Sequence, residues 1–349
     1  MFYQKTLLKQ GRKPSHMSLR MSFRKLTALP TKQRGVALVT ALLISALVTV
    51  VAVAMASRQQ LDIRRTGNML EADQAYMYAL AAETWAIQML KQDRKKNQID
   101  SLDEDWAVKL PPIPIEGGVI SGSVEDMQGR FNLNNLVDAQ NKLDTVQVSA
   151  FQLLLAQVSL VDEKVQLSPF VANRVADWID PNLNSLADGA EDLVYLGVDP
   201  VPYRTANQPM ASPSELAAVA GISLHDMTAL LPFISALPRG GTATSATPLN
   251  VNTAPEMVLM SLHVDITPQI ATALHESRVS SPFENVTDFV NVLRDDYGIT
   301  VAPATISVSS NYFLVSSDAS IGRTQLRMYS LLARDSSKIN VLSRGFGTY

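Results

Sequence analysis

The sequence predicts an α+β protein: one long amino-terminal helix, a small antiparallel sheet, and a large all-α region inserted between the strands of that sheet. Three observations lead there. Residues 36–56, "VALVTALLISALVTVVAVAMA", run for twenty-one positions without a charge, about 31 Å of helix and close to the thickness of a bilayer's hydrocarbon core. Beyond that run Met69, Ala72, Tyr76, Leu80, Thr84, Ile87 and Leu90 recur three or four apart, the mark of an amphipathic face, and no proline intervenes from Val36 to Leu110. Alternating segments at 119–124 and 312–332 bracket a middle, about 136–300, in which Ser-Pro, Thr-Pro and Ala-Pro open a series of short helical stretches.

Charge is divided unevenly along the chain. Residues 1–35 hold nine Lys/Arg and no Asp/Glu, leaving 21 basic against 33 acidic residues in the remainder. The basic leader fits the end that stays in the cytoplasm. The acidic body argues against nucleic acid as a partner, since phosphate binding needs a basic face. With no cysteine, disulfides, thiolate nucleophiles and Cys-based zinc sites are excluded. His16, His225, His263 and His275 form no HExxH pair, and there is no Walker loop, GxSxG or GxGxxG. With none of the common catalytic signatures present, no enzymatic activity is expected, and for an envelope hydrolase on a plain anchor the sequence shows no nucleophile with a plausible base.

The junction "TKQRGVALVT" (31–40) sets a basic patch and Gly35 directly against the apolar run. A cleavable secretion signal would use the small-x-small pattern of "AVAMA" (52–56), but signal apolar cores run about 7–15 residues and this one is longer. A plain one-pass anchor is the second reading. The third comes from a resemblance: a basic leader ending in glycine and followed at once by an apolar helix is similar to the prepilin-peptidase site of type IV pilins and pseudopilins. In that family the cut falls on the cytoplasmic side and the helix is retained, which here implies cleavage between Gly35 and Val36.

Four further blocks widen the resemblance to nearly the whole chain: "RRTGNMLEADQAYMYALAAETWA", "LPPIPIEGGVISGSVEDMQGRFNLNNLV", "ADWIDPNLNSLADGAEDLVYLGVDPVPYRTANQPMASPSELAAVAGI" and "LNVNTAPEMVLMSL". In this order they resemble the minor pseudopilin K family of the type II secretion system. Pilin-like subunits usually carry a glutamate fifth after the cut, whereas this chain has Thr40, and pseudopilin K is the class that lacks it. The resemblance implies a pilin-like fold with an inserted all-α domain, and a place at the tip of a periplasmic pseudopilus used for protein export. The implied partners are the other minor pseudopilins in a heterotrimeric tip, the major pseudopilin, the prepilin peptidase and the inner-membrane secretion platform. The implied location is the inner membrane, single-pass, amino terminus in the cytoplasm and body in the periplasm. Expected boundaries are a leader at 1–35, a membrane and amphipathic helix at 36–93, a head from 94–135 and 300–349, a helical lobe at 136–240 and a second at 241–299.

"DPNLNSLADGAE" is the most chemical stretch. Counting Asp180 as one, oxygens fall at three (Asn182), five (Asn184), seven (the Leu186 carbonyl), nine (Asp188) and twelve (Glu191), the ligand spacing of a calcium loop. Ser185 stands where such loops have glycine, and an Asn/Asp-rich turn closing a helix explains the same residues. The resemblance implies structural calcium in this region, with Asp192 as a further ligand. "LNVNTAPEMVLMSLHVDITPQIATALHESRVSSPFENVTDFVNVL" is also similar to helix-hairpin-helix DNA-binding modules, so a membrane-anchored DNA-handling protein is the alternative. Its hairpin, "LHVDITPQ", has no glycine to present amides to phosphate and carries Asp265, so the segment reads as a structural helix pair. Trp85, Trp106 and Trp178 read as packing residues, "DRKK" (93–96) as a solvated charge run, and "RGGTATSATP" (239–248) as a flexible linker between the lobes.

Overall fold

The structure is a computed structural model and describes residues 34–238, 246–335 and 338–347. The leader up to 33 and most of the 239–248 segment lie outside those residues. The chain divides into two compact units, Met1–Arg65 and Thr66–Tyr349. One helix, α1 (Arg34–Lys96), contributes to both. Its first part is exposed apolar surface from Val36 to Met55, the one described helix long and apolar enough to cross a membrane. Gly67 does not interrupt it.

The packed face of α1 in the second unit overlaps the face the periodicity predicted only in part: Leu90 is buried as expected and Tyr76, Leu80 and Ile87 are half-buried, but the centre of the contact is shifted. Ala75, Ala79, Glu83, Ala86 and Leu90 are buried, whereas Met69, Ala72 and Thr84 are exposed. Alanines let the helix axis approach the sheet closely, so the larger residues of the predicted stripe flank the contact instead of filling it. Ala75 packs with Ala319 and Ile321, and Leu90 with Trp106, Phe313 and Leu332.

After α1 the Pro-rich segment expected to be a connector forms a strand, β1 (Leu110–Ile115), hairpinned to β2 (Gly118–Asp126). Pro111, Pro112 and Pro114 are tolerated because β1 is the sheet's edge, and its register shifts between Leu110 and Ile113. Next come β3 (Phe131–Asn132), α2 (Thr145–Val161), α3 (Val171–Ile179) and the short α4 (Asp192–Tyr195). Residues 213–218 make a 3₁₀ turn rather than the expected helix. α5 (Leu224–Leu230) stops before Pro232 and leads to β4 (Ile234–Ser235), which pairs in parallel with β3. β5 (Leu249–Asn250), α6 (Glu256–Met260), α7 (Pro268–Ser280), α8 (Val286–Tyr297) and β6 (Ile306–Ser307) complete the insertion, β5 pairing with β6. The chain then returns to the sheet through β7 (Tyr312–Ile321), β8 (Thr324–Arg334) and β9 (Ile339–Phe346). The five-stranded order is β1-β2-β7-β8-β9, every pairing antiparallel.

A single hydrophobic cluster runs through the insertion from Phe131 to Ile306, so residues of both expected lobes share one core. Polar groups fasten that body to the sheet. Asn250 Nδ2 donates to the Asp100 carbonyl, Asp126 Oδ2 and Ser310 Oγ at 2.9–3.0 Å. Arg334, buried beside the Phe313 ring, pairs with Asp100 and with Asp93 (3.2 Å). Asp93 is therefore buried, not part of a solvated charge run. Burial, reinforced by the Glu104 and Asp100 charges, pushes its carboxyl up to about 7 despite Arg334.

Candidate functional site

Two features of the sequence carry chemistry: the apolar helix and the acidic loop after α3. In the helix, Gly35 and Val36 lie in the first turn of α1, with Val36 exposed. The Thr40 hydroxyl donates to the Ala37 carbonyl at 3.0 Å. A threonine at this position is thus satisfied within its own helix, whereas a carboxylate in an apolar bundle would need a cation from elsewhere.

α1 is locked to the sheet by ionic contacts farther along. Ser330 Oγ and Arg344 Nε donate to Glu83 Oε2 at 2.6 and 2.7 Å, and Arg344 Nη2 donates to Oε1 at 2.9 Å. Burial raises the Glu83 pKa, but the bonds from Arg344 and Ser330 and the Arg344 charge outweigh it and hold the carboxyl below its ordinary value. At the other end of the sheet Glu71 accepts from Arg323 N and Thr324 Oγ1 in the β7–β8 turn. Gly322 there has φ +53 and leaves no room for a Cβ beside that carboxylate.

The acidic loop is organised around a residue that the spacing did not single out. Asp177, in the last turn of α3, is fully buried and accepts from Leu186 N (3.1 Å), Ala190 N (2.8 Å) and Ser185 Oγ (3.2 Å). Gly189 is required because a Cβ there would collide with Asp177 Oδ2. Asp180 caps the helix and accepts from the backbone and side chain of Asn182 at 3.0 and 2.8 Å. Glu191 is buried, and one of its oxygens accepts from Thr205 Oγ1 at 3.3 Å. Its other oxygen, Oε1, is buried with no hydrogen-bond partner. One carboxylate oxygen each from Asp177, Asp180 and Glu191 lies within 4.8 Å of the other two.

The remaining predicted ligands occupy other positions. Asn182 Oδ1 accepts from Asn184 N at 2.7 Å, and the Leu186 carbonyl accepts from Gly189 N at 3.0 Å. Asp188 is exposed with φ +54 and is not one of the three clustered carboxylates. Asp192 turns to Arg204 (2.7 Å) and Thr205. Trp178 packs on Tyr195 and Tyr203 behind the loop, and Trp106 is buried, but Trp85 is half-exposed rather than packed.

Electrostatics match the geometry. Burial and the Asp177 and Asp180 charges push the Glu191 carboxyl up to about 7. Burial raises Asp177 and Asp180 as well, against the hydrogen bonds they accept. Hard oxygen donors in such a group, one of them without a partner, suit a cation such as calcium.

The comparisons with known proteins follow the same outline. Residues 129–239 and 249–308 match the two family models described as "Type II secretion system (T2SS), protein K". The type II secretion system protein K of Pseudomonas aeruginosa is 37% identical over 324 residues, 90% of this chain and 93% of that protein. The chain belongs to the type II secretion system protein K family. The protein K of Aeromonas hydrophila is 33% identical over 90% of this chain and 96% of its own length. A solved chain in the crystal structure of the GspK-GspI-GspJ complex from the enterotoxigenic Escherichia coli Type 2 Secretion System superposes with TM-score 0.69, at 26% identity, over 82% of this chain and 100% of that one. Members of the protein K family are components of protein secretion, and nothing in these matches supports the DNA-handling alternative.

Proposed function

We propose that this chain is a minor pseudopilin of the type II secretion system that forms or primes the tip of the pseudopilus. It would be cleaved between Gly35 and Val36 and assembled with two other minor pseudopilins above the major one. The single observation that carries this reading is α1 itself: exposed and apolar at its start, then held to the sheet through Ala75, Ala79, Leu90 and the Glu83–Arg344 pair. Such a helix serves as a membrane resident before assembly and as a stem among neighbouring helices afterwards. The amino terminus would lie in the cytoplasm and the body in the periplasm, where its work is assembly, not catalysis. The self-satisfied hydroxyl of Thr40 makes no demand for the amino group of a subunit above, as fits a terminal position. Prepilin peptidase and the inner-membrane platform are the expected processing and assembly partners.

Amino-terminal sequencing of the membrane form, with and without prepilin peptidase, tests the processing step. Mature molecules beginning at Val36 only when the peptidase is present are expected. A start at Ser57, or an intact leader in cells with working peptidase, would overturn the reading.

The acidic loop would hold structural calcium through Asp177, Asp180 and Glu191. The cation supplies positive charge against three crowded carboxylates. The chain's own residues do the rest: α3 fixes Asp177 and Asp180, the Asp177 hydrogen bonds shape the loop, and Thr205 orients Glu191.

A further inference from the structure

The part of α1 just past the apolar run carries charges that neither processing nor packing uses. Between Ser57 and Arg65 stand three arginines, Arg58, Arg64 and Arg65, against one acid, Asp62. All four side chains are exposed, and among the described residues none of the three guanidiniums makes an ion pair or hydrogen bond. Arg130, Arg204, Arg327 and Arg344 on the body, by contrast, each hold an acid. Asp62 lies between Arg58 and Arg65 on one helix face, four residues from the first and three from the second, and bridges neither.

Their place along the helix decides what they meet. The run from Val36 to Ala56 fills the hydrocarbon core of a bilayer, so the polar interfacial layer, about 5–8 Å deep on each side, begins at Ser57. Arg58 falls inside that layer, about 3 Å beyond Ala56, and Arg64 and Arg65 follow at about 12–14 Å. Helical side chains slant toward the helix amino terminus, so all three long stems lean back toward the bilayer. An arginine so placed lays its methylenes on apolar surface and keeps its charged head at the polar level. Leu61 and Ile63, each 64% exposed, supply that surface among them.

Cations at this depth need anions at the same depth. The apolar run offers no acid, and Asp62 alone does not balance three guanidiniums. A phospholipid phosphate lies at the required level, and its oxygens match the planar guanidinium fork. The nine basic residues of the leader stand at the other end of the run in sequence, so they address the opposite leaflet.

We propose, on the membrane-anchored reading given under Proposed function, that Arg58, Arg64 and Arg65 form a binding site for anionic phospholipid headgroups in the periplasmic leaflet. The grip fixes the depth of the stem, and lifting the subunit out of the bilayer requires it to be broken. The chain has no cysteine, so a single introduced one reports on a single place. Full-length Gln60→Cys and, separately, Ala46→Cys would carry a fluorophore in vesicles of phosphatidylglycerol and phosphatidylcholine, with one lipid brominated at a time. Quenching then gives the relative affinity of the two lipids beside each label. At position 46, the middle of the run, both lipids should quench equally. At position 60 phosphatidylglycerol should be preferred about fivefold, the equivalent of one basic residue at an anionic surface. Replacing all three arginines by glutamine should erase that preference. Asp62→Asn removes the opposing acid and should raise it above wild type, a gain that misfolding does not mimic. Absence of quenching at position 46 would overturn the anchored reading itself. Quenching there with equal affinities at position 60, a preference that survives loss of the three arginines, or one that fails to rise in Asp62→Asn would overturn the lipid site alone.

Discussion

Replacing Glu191 by glutamine separates a cation site from an ordinary acidic turn, because the two readings predict opposite signs. Two carboxylate oxygens within 4.8 Å of each other repel by at least about 3.5 kcal/mol at an effective dielectric near 20. Three such pairs make the fully ionised cluster expensive without a counter-ion. Glu191→Gln keeps an oxygen for the Thr205 hydroxyl and removes one charge. Without metal, the variant should therefore be more stable than the wild type, by about 2 kcal/mol at pH 8. With calcium at a hundred times its dissociation constant, the wild type gains about 2.7 kcal/mol, or about 5–10 °C in melting temperature for a body of this size. The variant should gain almost none of it. Differential scanning fluorimetry of the full chain in detergent, in calcium and in chelator, reads both quantities. Coincident wild-type curves in calcium and chelator would remove the cation, and a variant melting below wild type in chelator would refute the repulsion.

Three further outcomes follow from the buried ionic contacts. Arg344→Met leaves Glu83 buried with only Ser330 as partner, and should cost about 2–3 kcal/mol, read as a lower urea midpoint. The Glu83 carboxyl is held below its ordinary value, so its stabilisation is complete above the unfolded pKa near 4.5 and is lost as pH falls through the lower folded value. The acid limb of a stability–pH curve should therefore flatten in Arg344→Met. Asp93 has the opposite sign: its folded pKa, about 7, is above the unfolded 3.8, so the folded chain holds the extra proton between those values. Stability should fall by on the order of 3 kcal/mol as pH rises from 4 through 7, and Asp93→Asn should remove that slope in saturating calcium, where Glu191 no longer contributes.

Much of the fold was legible because its signals were strong and local. The uncharged run, the absence of proline to Leu110 and the alternation of β7 and β8 each mark one element type. What was missed obeys other physics. The packed face of α1 is built largely on alanines, which hydrophobic periodicity weighs lightly, so large residues such as Met69 shifted the predicted stripe off the contact at its first turns, while Leu90 at its end is buried as expected. β1 was hidden because its prolines argue against a strand everywhere except an edge. β9 escaped because its alternation is short: Ile339 and Val341 face the core, and the rest of this edge strand is exposed.

In the acidic loop, linear spacing starting at Asp180 found Asp180 and Glu191 but could not find Asp177, which joins them from the preceding helical turn. The available signal was Asp177 and Asp180 at i and i+3, a spacing that sets two acids on one helix face. Asp188 fitted the count and Asp192 was implied by the resemblance, but the chain path turned Asp188 to solvent and Asp192 to Arg204.

The proline-bearing border of the sheet has a consequence for how copies of this molecule meet. Three of the six residues of β1 lack an N–H, so the outer rim cannot template a further ribbon of main chain from a neighbour. Lateral growth by backbone zippering is blocked on that side. Where many similar subunits crowd one compartment, association is left to helix stems, and fibrous misassembly loses its simplest starting point.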